Sequence, residues 1–261
     1  MNKIAVCGKG GSGKSVLVRL LADGLRRHGR RVLVVDSDES NTGLFRMLGF
    51  ARPPEPLVGL LGGKRKLEEM LEEAIRAGTP EMQVDLIRQP LQPKDIPPEY
   101  MLEKDGTRLI CIGKILMALE GCACPMGIVS RSFLKRLRLE PDEVVLVDME
   151  AGVEHFGRGV ETSIDCVLVV VEPSLDSLEV AEKIHELAGQ INIADVWAVL
   201  NKITSESIAK RLTEYLDKRG IRVIGEIHQD AEIFESSLEG RPVQSGVSSY
   251  DIDKILDFLF P

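Results

Sequence analysis

No stretch of this chain stays apolar for the roughly 18 residues that a membrane-spanning helix requires, so no bilayer span is expected. A basic excess is missing as well. The 33 Lys and Arg face 41 Asp and Glu, a formal net charge of -8, which argues against non-specific binding to nucleic acid. Cysteine is sparse. Five residues, an odd number in a chain read as intracellular, suggest no disulfide framework. Aromatic residues make up only 4% of the chain, and the single tryptophan, Trp197, lies in an apolar strand-like run and is expected in the core. There is no internal repeat and no low-complexity tract. No signal or transit peptide is expected, because the chain passes from Met1 straight into an apolar strand and a glycine loop. The apolar set Ile252, Ile255, Leu256, Phe258, Leu259 and Phe260 lacks the basic face of a membrane anchor and reads as a packed last helix. These absences leave a soluble, cytoplasmic protein with neither a membrane nor a nucleic-acid partner. With 44% hydrophobic residues, the 261 residues suffice for one sizeable core, and residues 1–261 are read as a single domain.

What is present is organised around Gly8, Lys9, Gly10, Gly11, Ser12, Gly13, Lys14 and Ser15, which satisfy the P-loop template G-x-x-x-x-G-K-[ST] in full. The apolar run Ile4 to Cys7 before it reads as a strand. Val16, Leu17, Leu20, Leu21, Gly24 and Leu25 after it fall at helical spacing. Glycines allow a tight turn whose N–H groups converge on an anion, and the start of the following helix adds partial positive charge. Lys14 is expected to reach the β- and γ-phosphates of ATP, and the Ser15 hydroxyl to ligate Mg2+, with Val16 opening the helix beside them. A second loop lysine, Lys9, would repel Lys14 unless a polyanion lies between the two.

Strand-like and helical runs then alternate, the mark of an α/β fold with a mostly parallel, doubly wound sheet. Strands are expected over 2–7, 31–35, 107–112, 143–147, 165–171, 196–200 and 222–227. Helices are expected over 14–28, 41–48, 66–77, 126–139 and 175–191, another carries Ile208, Leu212, Tyr215 and Leu216, and two short helices close the chain. Residues 51–105, interrupted by Pro53, Pro54, Pro56, Pro90, Pro93, Pro97 and Pro98, read as an irregular insertion, either mobile or a dimer surface.

Polar residues gather where strands end, the edge at which open α/β sheets bind ligands. Asp36 and Asp38 follow the second strand and can hold Mg2+ through water or orient a water for attack on the γ-phosphate. The apolar strand ending in Asp148 is a Walker-B pattern, which places Asp148 beside the Mg2+ without ligating it directly. Asn201 and Lys202 end a later strand, and an asparagine amide offers the donor and acceptor that suit an adenine edge. Cys122 and Cys124 share one short loop flanked by glycine and proline. One C-x-C supplies two thiolates, too few for a closed tetrahedral site, but a two-fold dimer supplies four, enough for Zn2+, Ni2+ or an iron–sulfur cluster. Cys7, Cys111 and Cys166 lie in apolar strands and read as packing residues. His155 is a possible further ligand, though it reads more simply as a helix-start or switch histidine bonded to backbone.

The two-lysine loop resembles that of the deviant Walker-A ATPases, which include the septum-site and partitioning ATPases and the nitrogenase iron protein. The resemblance implies that Lys9 acts across a homodimer interface on the partner's nucleotide, that Asp38 is the water-activating acid, and that Asn201 and Lys202 contact adenine. It also implies that Gly152, in Glu150-Ala151-Gly152, donates its N–H to the γ-phosphate as part of a second switch. The family usually has an Asp-Pro pair at the first switch, where this chain has Asp38-Glu39. The C-x-C pair together with residues 148–159 is similar to the CooC-type ATPases, nickel-insertion accessory proteins of carbon monoxide dehydrogenase. That resemblance implies an ATP-dependent metallochaperone with Cys122 and Cys124 of both subunits on one Ni2+ or Zn2+, and carbon monoxide dehydrogenase or a related nickel enzyme as client. Two other classes stay open. An iron–sulfur reductase of the nitrogenase iron protein type needs a second cysteine near the second switch, and residues 148–159 contain none. A partitioning-type positioning ATPase would not need Cys122 or Cys124.

Overall fold

The computed structural model describes residues 1–80, 83–114, 124–157, 159–244 and 247–261, with backbone alone for Cys124, Pro125, Gly157 and Glu161. Its strands are β1 (Lys3–Gly8), β2 (Arg31–Asp36), β3 (Met101–Lys104), β4 (Thr107–Cys111), β5 (Glu143–Asp148), β6 (Cys166–Val171), β7 (Val196–Ile203) and β8 (Arg222–His228). They form one eight-stranded sheet in the order β3-β4-β2-β5-β1-β6-β7-β8. Every pairing is parallel except β3 with β4. The Val- and Leu-rich central strands β5 and β6 are buried along their whole length, as strands covered on both faces must be.

The period of two sorts each strand between two cores. Ile4, Val6, Val32, Val34, Leu146 and Val170 face helices α1 (Lys14–Arg27) and α9 (Ser249–Leu259). Ala5, Cys7, Leu33, Val35, Val147 and Val169 face α3 (Lys64–Arg76), α4 (Cys124–Arg136), α6 (Leu175–Gln190) and α7 (Glu206–Asp217). Short helices α2 (Leu44–Met47), α5 (Glu154–Gly157) and α8 (Ala231–Glu239) complete the chain. Ser174 and Ser205 cap α6 and α7 by accepting from the backbone N–H three residues on.

The last helix is a core element. Ile252, Ile255, Leu256 and Leu259 are buried between α1 and β8, and Trp197 meets Phe258 edge-on at 5.0 Å. Gly24, a residue that weakens a helix interior, is there because α9 comes close. A Cβ at that position would lie 2.6 Å from Ile252 Cγ2 and 2.8 Å from Leu256 Cδ1. Gly24→Val is expected to destabilise the fold by about 1–3 kcal/mol through overpacking. Urea unfolding checks this, and an unchanged midpoint would mean that α9 is not seated as described.

Three expectations about the chain path need correction. The proline-rich stretch 51–105 is layered onto the core, with Leu57, Leu67, Leu71, Val84, Leu86 and Ile96 in the same cluster as the sheet. It ends in the unforeseen strand β3, turned into β4 by Asp105 (φ 49) and Gly106 (φ 76), the backbone of a two-residue hairpin. Strand β7 runs past residue 200 to Ile203, with a register shift against β8 and Lys202 at φ 59. Helix α2 is shorter than 41–48, because residues 38–43 are taken up by side chain-to-backbone turns.

Candidate nucleotide site

Strand β1 lies between β5 and β6; the chain leaves β1 toward β2 on one side, and β5 crosses past β1 to β6 on the other, so the loop after β1 sits at the topological switch point of the sheet. The loop turns on Gly8 (φ 141), Gly11 (φ 78) and Gly13 (φ 102), all in the left-handed half of backbone space. It is stitched to its surroundings through its carbonyls. The Gly8 carbonyl accepts from Gly152 N–H at 3.2 Å. The Gly11 carbonyl accepts from Lys202 Nζ at 2.6 Å, and the Ser12 carbonyl from Asn201 Nδ2 at 2.8 Å. Lys14 opens α1 with its side chain buried over the loop, its Nζ 3.4 Å from the Lys9 carbonyl. Gly10 lies over Ala151, so the loop and the segment after β5 are in contact.

Beside the loop three carboxylates converge from parallel strands. Asp36 and Asp148 are register partners at the ends of β2 and β5, and Asp38 follows two residues on. All three are buried. Asp148 accepts from Ser15 Oγ at 2.6 Å, while its other oxygen, Oδ1, has no hydrogen-bond partner among the described residues. Burial, with Asp36 adding to it, pushes the Asp148 carboxyl up to about 7. Burial likewise raises Asp36 to about 6, against the pull of Lys114, whose Nζ lies 2.7 Å from Asp36 Oδ1. Asp38 Oδ1 accepts from Ser40 N (2.9 Å), Ser40 Oγ (2.6 Å) and Asn41 N (3.1 Å). Asn41 reaches back to donate to Ser15 Oγ at 2.8 Å. An orphaned buried Asp148 oxygen and a serine hydroxyl oriented by its partner oxygen are donors suited to a hard divalent cation, while Asp36 is already paired with Lys114.

On the other side of the loop, Lys9 Nζ is paired with Glu172 at 3.1 Å and lies 3.9 Å from Asp176. The second Glu172 oxygen accepts from Lys202 at 2.7 Å. Burial alone would raise Glu172, but the two lysines outweigh it and hold the carboxyl below its usual range. Glu172 directly follows β6 and joins a P-loop lysine to one from β7. Next to these, a cavity of about 460 Å³ is lined by Gly11, Gly13, Val16, Asn201, Lys202 and the start of α8 with the turn before it, from His228 to Ser237. Ile233 and Phe234 give it apolar walls, and Phe234 is 66% exposed at its mouth.

The structure therefore brings Gly8 to Val16, Asp38, Asp148, Gly152, Asn201 and Lys202 to one edge of the sheet. It also shows residues that sequence reasoning passed over: Asn41, Lys114, Glu172 and the wall from His228 to Ser237. Asn41 and Glu172 stood near recognised motifs but carried no signal in their own spacing. The Asn201 amide donates to the loop itself, at the Ser12 carbonyl. Cys122 lies outside the described residues. Of Cys124 only the backbone is described, and it opens α4. Cys7, Cys111 and Cys166 are buried in strands. Burial pushes the Cys111 thiol up to about 12 and raises Cys166 as well, so neither is a ready thiolate. His155 stacks on Phe156 with its ring nitrogen 3.2 Å from the Gly152 carbonyl, the backbone-bonded arrangement expected of a switch histidine.

A glycine loop at the switch point of a parallel sheet, followed by a helix and flanked by strand-end acids, defines a P-loop nucleotide-binding protein. Residues 3–243 match the CobQ/CobB/MinD/ParA nucleotide binding domain, and the chain belongs to that family of ATPases. It is 38% identical over 255 residues to an uncharacterized ATP-binding protein of Methanocaldococcus jannaschii, covering 97% of this chain and 99% of that one. It is 34% identical over 251 residues to the carbon monoxide dehydrogenase accessory protein CooC of Rhodospirillum rubrum, covering 96% and 90%. In fold it is similar to the septum site-determining protein MinD of Pyrococcus horikoshii in complex with Mg-ADP. The TM-score is 0.68 at 18% identity, over 98% of this chain and 95% of that one. The protein is thus an ATP-binding α/β ATPase with a mostly parallel sheet, close to CooC.

Proposed function

We propose that the protein is an ATP-driven metallochaperone that delivers Ni2+ to carbon monoxide dehydrogenase or a related nickel enzyme. One observation carries this reading: a C-x-C pair, Cys122 and Cys124, in a chain similar along almost its whole length to a carbon monoxide dehydrogenase accessory protein. The cargo is a soft-to-borderline cation, and thiolates are the ligands that hold it. Two thiolates per chain make half a tetrahedral site, so the proposal includes a homodimer with the four sulfurs of Cys122 and Cys124 around one Ni2+, or Zn2+ in its place.

The nucleotide site supports the driving reaction. The loop amides and Lys14 bind the phosphates of ATP. Ser15, oriented by Asp148, is the ligand for Mg2+, which when bound neutralises charge on the phosphates. Asp38 accepts a proton as water attacks the γ-phosphorus, and the bond to ADP breaks, giving ADP and phosphate. Gly152, which now donates to Gly8, is the donor that turns to the γ-phosphate in the loaded state. Lys9 leaves Glu172 and reaches the phosphates of the other subunit. The adenine enters the cavity beside Asn201 and Lys202, with Ile233 and Phe234 against its faces.

Metal analysis of anaerobically purified protein tests the cargo. One Ni2+ or Zn2+ per two chains is expected, with loss of the metal in Cys122→Ser/Cys124→Ser. Equal metal content in the variant would remove the C-x-C site, and a brown protein with a cluster spectrum would move the reading to an iron–sulfur reductase. Lys9→Ala tests action across the interface. ATPase activity should fall on the order of 10³-fold, as for loss of an arginine finger, and the ATP-dependent dimer should disappear from sedimentation profiles. Normal turnover by a dimeric Lys9→Ala protein would withdraw that role.

A further inference from the structure

Asn41 has no part in the reaction above, yet its side-chain amide and its backbone N–H are all engaged. Oδ1 accepts from the Gly43 N–H at 2.8 Å, Nδ2 donates to Ser15 Oγ at 2.8 Å, and the backbone N–H donates to Asp38 Oδ1 at 3.1 Å. The amide has only one way round. A backbone N–H can only donate, so the atom facing Gly43 is the oxygen and the atom facing Ser15 is the nitrogen. The Gly43 bond closes an Asx turn, which is a local reason for an asparagine. The Ser15 bond spans 26 residues of sequence and has no local reason.

That bond decides how the Ser15 hydroxyl is left. Its single hydrogen goes to Asp148 Oδ2 at 2.6 Å, and one of its two lone pairs receives the Asn41 hydrogen. One lone pair remains. With the carbon and both hydrogen bonds fixed, its direction is fixed as well. Asp148 from β5 and Asn41 from the first switch thus orient the hydroxyl together, and neither does so alone. On its other side, Asn41 joins Ser40 in holding Asp38 Oδ1. The hydrogen bonds run unbroken from Asp148 through Ser15 and Asn41 to Asp38.

We propose that Asn41 is a positioning residue for the Mg2+ site, and that through it metal at Ser15 steadies the turn that presents Asp38. Without metal, Ser15 is free to change rotamer, and Asn41 loses its partner each time it does. With metal on the remaining lone pair the hydroxyl is pinned, and the turn over residues 38–43 is pinned with it. The coupling is reciprocal, so Asn41 in place also makes the metal bind more tightly. This role rests on Ser15 being the Mg2+ ligand, and it needs neither the cysteine pair nor a dimer.

The test uses the whole chain and ADP, so it needs no turnover. Calorimetry gives the ADP affinity with Mg2+ and with EDTA, and their ratio is the contribution of the metal. The variant is Asn41→Ser, whose hydroxyl still accepts from the Gly43 N–H in the equivalent turn but does not reach Ser15. The ratio is expected to fall by about three- to tenfold, the worth of one hydrogen bond, with the affinity in EDTA unchanged. Peptide hydrogen exchange over residues 37–44 gives a second reading. Mg2+ added to the ADP complex should slow exchange there by about tenfold in the unaltered protein, the order of an ordinary coupling, and should not slow it in Asn41→Ser. An unchanged ratio in Asn41→Ser would overturn the proposal. Equal losses with Mg2+ and with EDTA would overturn it too, because a residue that only shapes the loop gives that result. Exchange over 37–44 that ignores Mg2+ in the unaltered protein would remove the link to Asp38. Ser15→Ala tests the premise separately: if that variant keeps the full Mg2+ ratio, Ser15 is not the ligand, and the proposal falls with it whatever Asn41→Ser shows.

Discussion

Gly13→Ala is expected to abolish measurable ATP hydrolysis. Gly13 stands at φ 102, where a side chain is strained by about 1–2 kcal/mol. The strain is the smaller part. A Cβ at this position would lie 2.1 Å from Asn201 Nδ2 and 3.4 Å from its Cγ. The amide cannot yield without giving up its bond to the Ser12 carbonyl, one of the ties that hold the loop in shape. Gly13 also carries the carbonyl that begins α1, so a shift passes to Lys14 and Ser15. A displacement of about 1 Å at a positioning element costs on the order of 10²-fold in rate, and here phosphate binding and chemistry are both displaced. Calorimetric ATP affinity and steady-state turnover measure the effect. Pairing the change with Asn201→Ala separates its two causes: relief of the clash should return some binding, while the φ strain remains. Activity of Gly13→Ala within threefold of the unaltered protein would contradict the loop described.

Asp38→Asn is expected to lower kcat by about 10²–10⁴-fold, the usual worth of a general base, with KM little changed. The choice of asparagine follows from the geometry. Asp38 Oδ1 accepts from Ser40 and from the Asn41 N–H, and an asparagine carbonyl accepts the same bonds, so the loop keeps its turn while the base is lost. Asp38→Ala loses both and should also weaken the contact of Asn41 with Ser15. If Asp38→Asn turns over like the unaltered protein while Asp38→Ala does not, Asp38 is a loop cap and the proton acceptor lies elsewhere.

What could be read from the sequence was what is local. The P-loop is a contiguous template, Asp36 and Asp148 close apolar runs, and the period of two and of 3.6 placed the central strands and helices. The hairpin from β3 to β4 also had a local signal, Asp105-Gly106, hidden because the prolines before it made the whole stretch look irregular. The remaining site residues depend on chain return. Lys9 and Glu172 are separated by 163 residues and Lys202 and Gly11 by 191, so no window of sequence contains either pair. Lys114 is similar: nothing in Ile112-Gly113-Lys114 announces a lysine beneath Asp36, because only the pairing of β2 with β4 brings them together. The cavity beside Asn201 and Lys202 escaped notice for another reason. Its walls are ordinary residues, Ile233, Phe234 and Ser237, and only the position of α8 makes them a wall.

The carbonyls of Gly8, Gly11 and Ser12 are each occupied by a donor from another part of the chain. In a planar trans peptide the next N–H points opposite to its carbonyl, so with the Gly8 and Ser12 oxygens drawn outward the Lys9 and Gly13 amides are turned to the hollow before any anion arrives, while the Ser12 N–H closes the loop on the Lys9 carbonyl at 3.2 Å. The entropy of shaping this cradle is therefore spent during folding, and not at each catalytic cycle. Exchange of ADP for ATP can then proceed without rebuilding the loop, and the signature of such a receptor is fast deuterium uptake at the Lys9 and Gly13 amides in the nucleotide-free protein that turns slow once ATP is bound.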